Sequence, residues 1–111
     1  MTDATDTALL LERLYEWWVG PGGPRPDIFH PRLAYDGGVG DLKDEELLWW
    51  VEHKAPWNDL RVLHRAVDEG QGILTFDGID GGTGLKHRVS WVVEFRDGKI
   101  TRIAETVETQ G

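Results

Sequence analysis

A chain of 111 residues has room for one domain, residues 1–111, with a real core and a small cavity, but not for two cores. Hydrophobic residues make up 40% and charged residues 29%, an ordinary balance for a soluble fold, and no apolar run approaches the roughly 20 residues of a membrane helix. Twelve basic against 20 acidic residues give a net charge of -8, which repels a phosphate backbone, so nucleic acid is not an expected partner.

The polar first six or seven residues are expected to fray. In "ATDTALLLERLYEWWVG", Leu11, Leu14, Tyr15 and Trp18 fall at helical spacing and form one apolar face. Thr5 or Asp6 can cap this helix and Gly20 can close it. "GPGGPRPD" must be a loop, because its glycines and prolines suit neither a helix nor a paired strand. Ile28 and Phe29 follow as core anchors, and Leu33 to Tyr35 read as a short strand ahead of three glycines.

A second helix is predicted from about Asp41 to Lys54. Asp41 can cap it, its first turn is acidic, and Leu47, Trp50, Val51 and Lys54 share a face. From Trp57 the period changes to two, and "LRVLHRAVD", "GILTFDGI", "LKHRVSWVVEFR" and "KITRIAETVE" read as four strands of a meander. Asp97-Gly98 is a two-residue hairpin signal, since a type I′ turn needs positive φ at both positions. The expected class is α+β, with helices packed on one face of an antiparallel sheet.

This order, with "IFHPRLAYDGGVG", "DEELLWWVE" and above all "WVVEFRDGKITRIAETVE", resembles the nuclear transport factor 2-like (NTF2-like) superfamily, in particular its SnoaL-like and ketosteroid-isomerase-like branch. The similarity spans nearly the whole chain. It departs where the family's second short helix is replaced by the Gly/Pro loop. The resemblance implies a cone-shaped fold in which a curved sheet wraps the helices around an apolar pocket. It also implies an apolar small-molecule partner, no cofactor, and a homodimer formed through the outer sheet face. The family includes isomerases, polyketide cyclases, dehydratases and members that only bind or scaffold, so the fold does not decide the function.

Asp36 matches the family's general base, in the loop after the first strand. A carboxylate at the rim of an apolar pocket is partly desolvated, which raises its pKa toward a proton shuttle's range. The alternative is a turn aspartate bonding backbone N–H groups. Tyr15 lies near the family's oxyanion-hole Tyr, but the register of the partner acid falls on Trp91, so half of that hole is missing. Trp91 can donate one hydrogen bond or serve as core.

Along the last strand, alternation sets Ile103, Glu105 and Val107 on the inner face. An inward Glu105 must be paired, protonated, hydrated or functional, unless a bulge returns it to solvent. The same counting puts His87, Val89, Trp91, Val93 and Phe95 together, so His87 and Glu105 are expected to meet as a proton relay or as a structural pair. His64 is a weaker candidate, of unassigned facing.

Trp17/Trp18 and Trp49/Trp50 are adjacent on helices and about 100° apart, so at least one of each pair should line the pocket, lie at an edge or meet another subunit. Trp18 and Trp50 are the expected pocket residues. A metal site is not expected, because His30, His53, His64 and His87 show no close ligand spacing. The absence of Cys removes thiolate chemistry, and Ser90 lacks a Gly-x-Ser-x-Gly elbow. No signal-peptide layout opens the chain, so a cytoplasmic location is expected.

Overall fold

A computed structural model describes residues 4–21, 23–36 and 44–110. Helix α1 (Ala4–Val19) leads to strand β1 (Phe29–Asp36) and helix α2 (Asp44–His53). Strands β2 (Asn58–Val67), β3 (Gln71–Ile79), β4 (Lys86–Arg96) and β5 (Lys99–Gln110) follow. They form one sheet in the order β1-β5-β4-β3-β2, in which β2 to β5 are an antiparallel meander and β1 pairs parallel to β5.

Helix α1 buries the face its spacing selects, whereas α2 buries Leu48 with Val51 and Lys54, and the Leu47 side chain, expected on that face, lies outside the described residues. Leu11, Leu14 and Trp18 of α1 and Leu48 and Val51 of α2 pack with Leu74, Phe76, Val89, Trp91, Val93, Phe95, Ile100 and Ile103 of the sheet. Thr7 ties the start of α1 to the β2–β3 turn by a bond from its hydroxyl to the Glu69 carbonyl. At the other end, the Lys54 ammonium donates to the carbonyls of Gly20 and Ala55, joining the C-terminal ends of α1 and α2. Burial of that ammonium lowers its pKa to about 8, against a smaller opposing pull from Asp80.

Several expectations need adjusting. Helix α1 is already formed at Ala4, so residues 4–6 are helical rather than frayed. The Asp41 cap lies outside the described residues. Strand β1 starts at Phe29, earlier than expected, and tolerates Pro31 because it is an edge strand whose register slips between Phe29 and Ala34. On α2, Trp50 is only half-buried, and Trp49, 59% exposed, stacks on His53.

Bulges bend the sheet. Register shifts interrupt β2 against β3 in two places and β4 against β5 once, and such insertions sharpen local twist. The β4–β5 irregularity is informative. Phe95 pairs with Ile100 but Glu94 with Arg102, leaving Thr101 as the extra residue, its hydroxyl on the Glu94 carbonyl. That one residue keeps both Ile100 and Ile103 inside. The hairpin itself turns as its sequence requires, with positive φ at Asp97 (53°) and Gly98 (74°).

Candidate functional site

Beyond the bulge, β5 alternates strictly: Ile103 and Glu105 are buried, while Arg102 and Thr106 are exposed. Glu105 stands directly across from Trp91 on β4. The Trp91 indole N–H donates to Glu105 Oε2 at 2.7 Å. From the other side comes β1, where Tyr35 pairs with Ile103 and lies on the same face as buried Leu33. Its hydroxyl donates to Glu105 Oε1, also at 2.7 Å. The carboxylate is therefore gripped by two aromatic donors, one for each oxygen.

Aromatic rings close around this grip. Trp18 meets Trp91 edge-on at 5.3 Å between centroids and stacks on Tyr35 at 6.3 Å. Phe76 meets Trp91 at 5.3 Å, and Trp57 extends the wall past Phe76 to His87. Glu105 is 8% exposed, and none of the described salt bridges involves it. Burial raises its pKa, and the bonds from Trp91 and Tyr35 and the charge of His87 pull it partly back. Burial wins because neutral donors stabilise a carboxylate less than a facing cation does. The result is an acid able to hold or release a proton nearer neutral pH than an ordinary glutamate.

The other sequence candidates are placed differently. Asp36 follows Tyr35 and so points to the opposite side of β1, where its carboxylate, 62% exposed, bonds to the Arg102 guanidinium on the outer face. The expectation that Asp36 stands at the pocket mouth gives way to an outer-face ion pair, because Leu33 and Tyr35 take the inward positions. His87 is on the inner side, yet it pairs with Thr109, whose hydroxyl is 3.2 Å from Nδ1. His87 lies four positions before Trp91, about 13 Å along an extended strand, so the expected contact with Glu105 does not form. His87 acts on Glu105 only through its charge.

Tyr15 packs edge-on against Phe76, and its hydroxyl pKa is raised by burial. It lines a cavity of about 170 Å³ with Leu11, Val62, Arg65 and Leu74, apart from the Glu105 grip. Trp50 packs against the core without an aromatic contact among those described. A larger groove of about 440 Å³ runs between the start of β1 and α2, past Phe29, His30, Leu33 and Leu48. Tyr35 is the site residue that sequence reasoning missed. Its signal was alternation with Leu33, which marks it as inward.

Among the described residues no cluster of three or more His, Asp or Glu is placed to hold a metal ion, and no helix is long and apolar enough to cross a membrane.

No protein-family model and no curated protein matches the chain. Solved structures do. A provisionally assigned ketosteroid isomerase from Kribbella flavida superposes with a TM-score of 0.74 at 15% identity, covering 100% of this chain and 84% of its own. An NTF2-like protein of unknown function from Mesorhizobium loti gives 0.73 at 13% identity, over 95% of this chain and 93% of its own. A de novo designed NTF2-fold protein gives 0.61 at 17% identity, over 97% and 88%. At such identities the likeness speaks for the fold alone: this chain has the cone-shaped α+β fold of NTF2-like proteins.

Proposed function

We propose that the protein is a SnoaL-like pocket protein that takes an apolar small molecule against its aromatic inner wall and exchanges a proton with it through Glu105. The observation that supports this is the buried carboxylate held by Tyr35 and Trp91 without a salt-bridge partner among those described. A structural acid at this depth is expected to face a cation, because an unpaired buried charge is costly. An acid with a raised pKa, fixed in orientation by two donors, suits proton removal from carbon next to a carbonyl. The Glu105 carboxylate takes the proton, the C–H electron pair passes to the carbonyl oxygen as an enolate, and the proton returns. Isomerases, cyclases and dehydratases of apolar ketones share this step. Asp36 is not assigned a part, and His87 tunes the charge of Glu105.

The test is exchange of the α-protons of 1-tetralone in D2O, followed by NMR. Exchange above the buffer rate that Glu105→Gln abolishes in a folded protein supports the reading. Exchange that the variant leaves unchanged, or none at all, refutes it.

One observation favours a second reading, a non-catalytic binding or interaction module. Trp91 is fully buried, and neither the 170 Å³ nor the 440 Å³ cavity is lined by Glu105. The Tyr35–Glu105–Trp91 grip would then serve to clamp β1 to the meander, and Glu105→Gln would change stability alone. For assembly we propose a homodimer through the outer sheet face, where Ile73 and Val92, each 37% exposed, pair in register as an apolar strip beside the Glu94–Arg102 pair.

A further inference from the structure

The outer side of the sheet carries a basic trough at the β4–β5 hairpin end, beyond the Glu94–Arg102 pair. It is a groove of about 490 Å³ lined by His30, Arg32, Arg96, Asp97 and Thr101. Alternation explains its flanks. Arg32 precedes buried Leu33 on β1 and Arg96 follows buried Phe95 on β4, so both side chains leave the sheet on the outer side, where they are exposed. Strand β5 runs between these two strands and offers Thr101, whose hydroxyl donates to the Glu94 carbonyl. Strands two apart in a sheet are about 10 Å from each other, so long basic side chains stand on either side of a short floor.

The sheet is irregular at this place on both sides of β5. The β4–β5 register breaks between Glu94 and Phe95 and the β1–β5 register between Phe29 and Ala34, so neither ladder gives Thr101 a partner. Within β1, the Arg32 backbone N–H donates to His30 Nδ1 at 3.1 Å. A ring whose Nδ1 accepts carries its proton on Nε2, which makes the remaining nitrogen a donor.

Charge sets the trough apart as well. In a chain of net charge -8, the guanidinium groups of Arg25, Arg88 and Arg102 each meet a carboxylate. Among the described residues those of Arg32 and Arg96 meet none, and neither of the other two cavities has more than one arginine in its lining. Asp97 opposes them within the trough, while neighbouring Glu94 faces Arg102. Two guanidinium groups against one carboxylate leave a positive balance on an acidic molecule.

We propose that this trough is an anion site that takes the phosphate group of a small, soluble phosphate ester. Each guanidinium offers a fork of parallel N–H donors and His30 adds another, which suits the three terminal oxygens of a phosphate monoester better than the two of a carboxylate. Extended forms of the same chemistry, a nucleic-acid backbone or an anionic membrane, are disfavoured by the net charge of -8, because they meet the acidic surface around the groove. A single ester lies within the field of the two arginines. Glu105 faces the other side of the sheet, so this binding is independent of the proton exchange proposed above.

The test titrates 15N-labelled protein with phenyl phosphate, and separately with benzoate and phenol. It follows the Nε–H resonances of Arg32 and Arg96, assigned by their disappearance in Arg32→Gln and Arg96→Gln. Saturable shifts of both are expected with phenyl phosphate, weaker binding with benzoate and none with phenol, and affinity should fall as salt is raised. Arg32→Gln and Arg96→Gln should each weaken phenyl phosphate about tenfold without changing the urea midpoint, whereas Arg61→Gln, outside the groove, should leave it unchanged. Absence of a saturable shift, equal affinity for benzoate, full affinity in either Arg32→Gln or Arg96→Gln, or an equal loss in Arg61→Gln would overturn the proposal. Binding to vesicles containing phosphatidic acid without binding to phenyl phosphate would overturn it too.

Discussion

Tyr35 and Asp36 are consecutive on β1, and both reach β5, but their bonds have opposite physical character. Asp36 meets the Arg102 guanidinium on the outer face, where water screens both charges. Tyr35 meets Glu105 on the inner face, where a carboxylate is buried with no described salt bridge and only neutral donors. An exposed ion pair contributes roughly 0–1 kcal/mol. A buried carboxylate stripped of its donors costs several times that. Charge complementarity therefore marks the less consequential of the two sites, and burial marks the one with chemical potential.

Breaking the inner site should have the largest effect. Glu105→Ala takes the acceptor from the buried Trp91 N–H and from the half-buried Tyr35 hydroxyl and opens a cavity, and a loss of about 3 kcal/mol is expected in urea unfolding. Glu105→Gln is the informative contrast. Its amide oxygen can accept from Trp91 and its NH2 can donate to the Tyr35 hydroxyl, so the loss should stay below about 1 kcal/mol while proton exchange disappears.

Tyr35→Phe comes next. It removes one donor and should cost about 1–2 kcal/mol. It also removes a bond that favours the ionised form, so the Glu105 pKa should rise further. The sign of the pH effect follows from the raised folded value. The folded state holds this proton more tightly than the unfolded chain does. The stability contributed by Glu105 is thus complete below the ordinary glutamate range and is lost as pH rises through the folded pKa. Unfolding free energies across that range should fall with pH in the native protein, relative to Glu105→Gln.

The outer face should respond least. Asp36→Asn is expected to change stability by less than about 0.5 kcal/mol and to leave the titration of Glu105 untouched. A large loss of proton exchange in Asp36→Asn would reverse the comparison. Val92→Glu should leave the fold intact and, if the sheet face joins two copies, shift sedimentation toward the monomer.

Much of this contrast was legible in the chain. Period-two alternation is local, so Ile103 and Val107 fix the facing of Glu105, and Asp97-Gly98 fixes the hairpin. The same alternation, started from Leu33, already turns Tyr35 inward and Asp36 outward. The family likeness assigns Asp36 to the pocket mouth instead, and residues 37–43 that follow it lie outside the described residues. A bulge within β5 could return Glu105 to solvent, but the extra residue, Thr101, lies before Arg102 and leaves Glu105 inside. The Tyr35–Glu105 bond could not be read, because it depends on a parallel pairing between strands some 70 residues apart, which no local pattern encodes.

The most direct test of the account is the pH titration of the Glu105 side-chain carboxyl carbon by 13C NMR, in the native protein and in Tyr35→Phe. A midpoint above the ordinary glutamate range is expected, moving higher still when the Tyr35 hydroxyl is removed. A midpoint at or below that range, unmoved by Tyr35→Phe, would show that Glu105 titrates as an ordinary surface acid does.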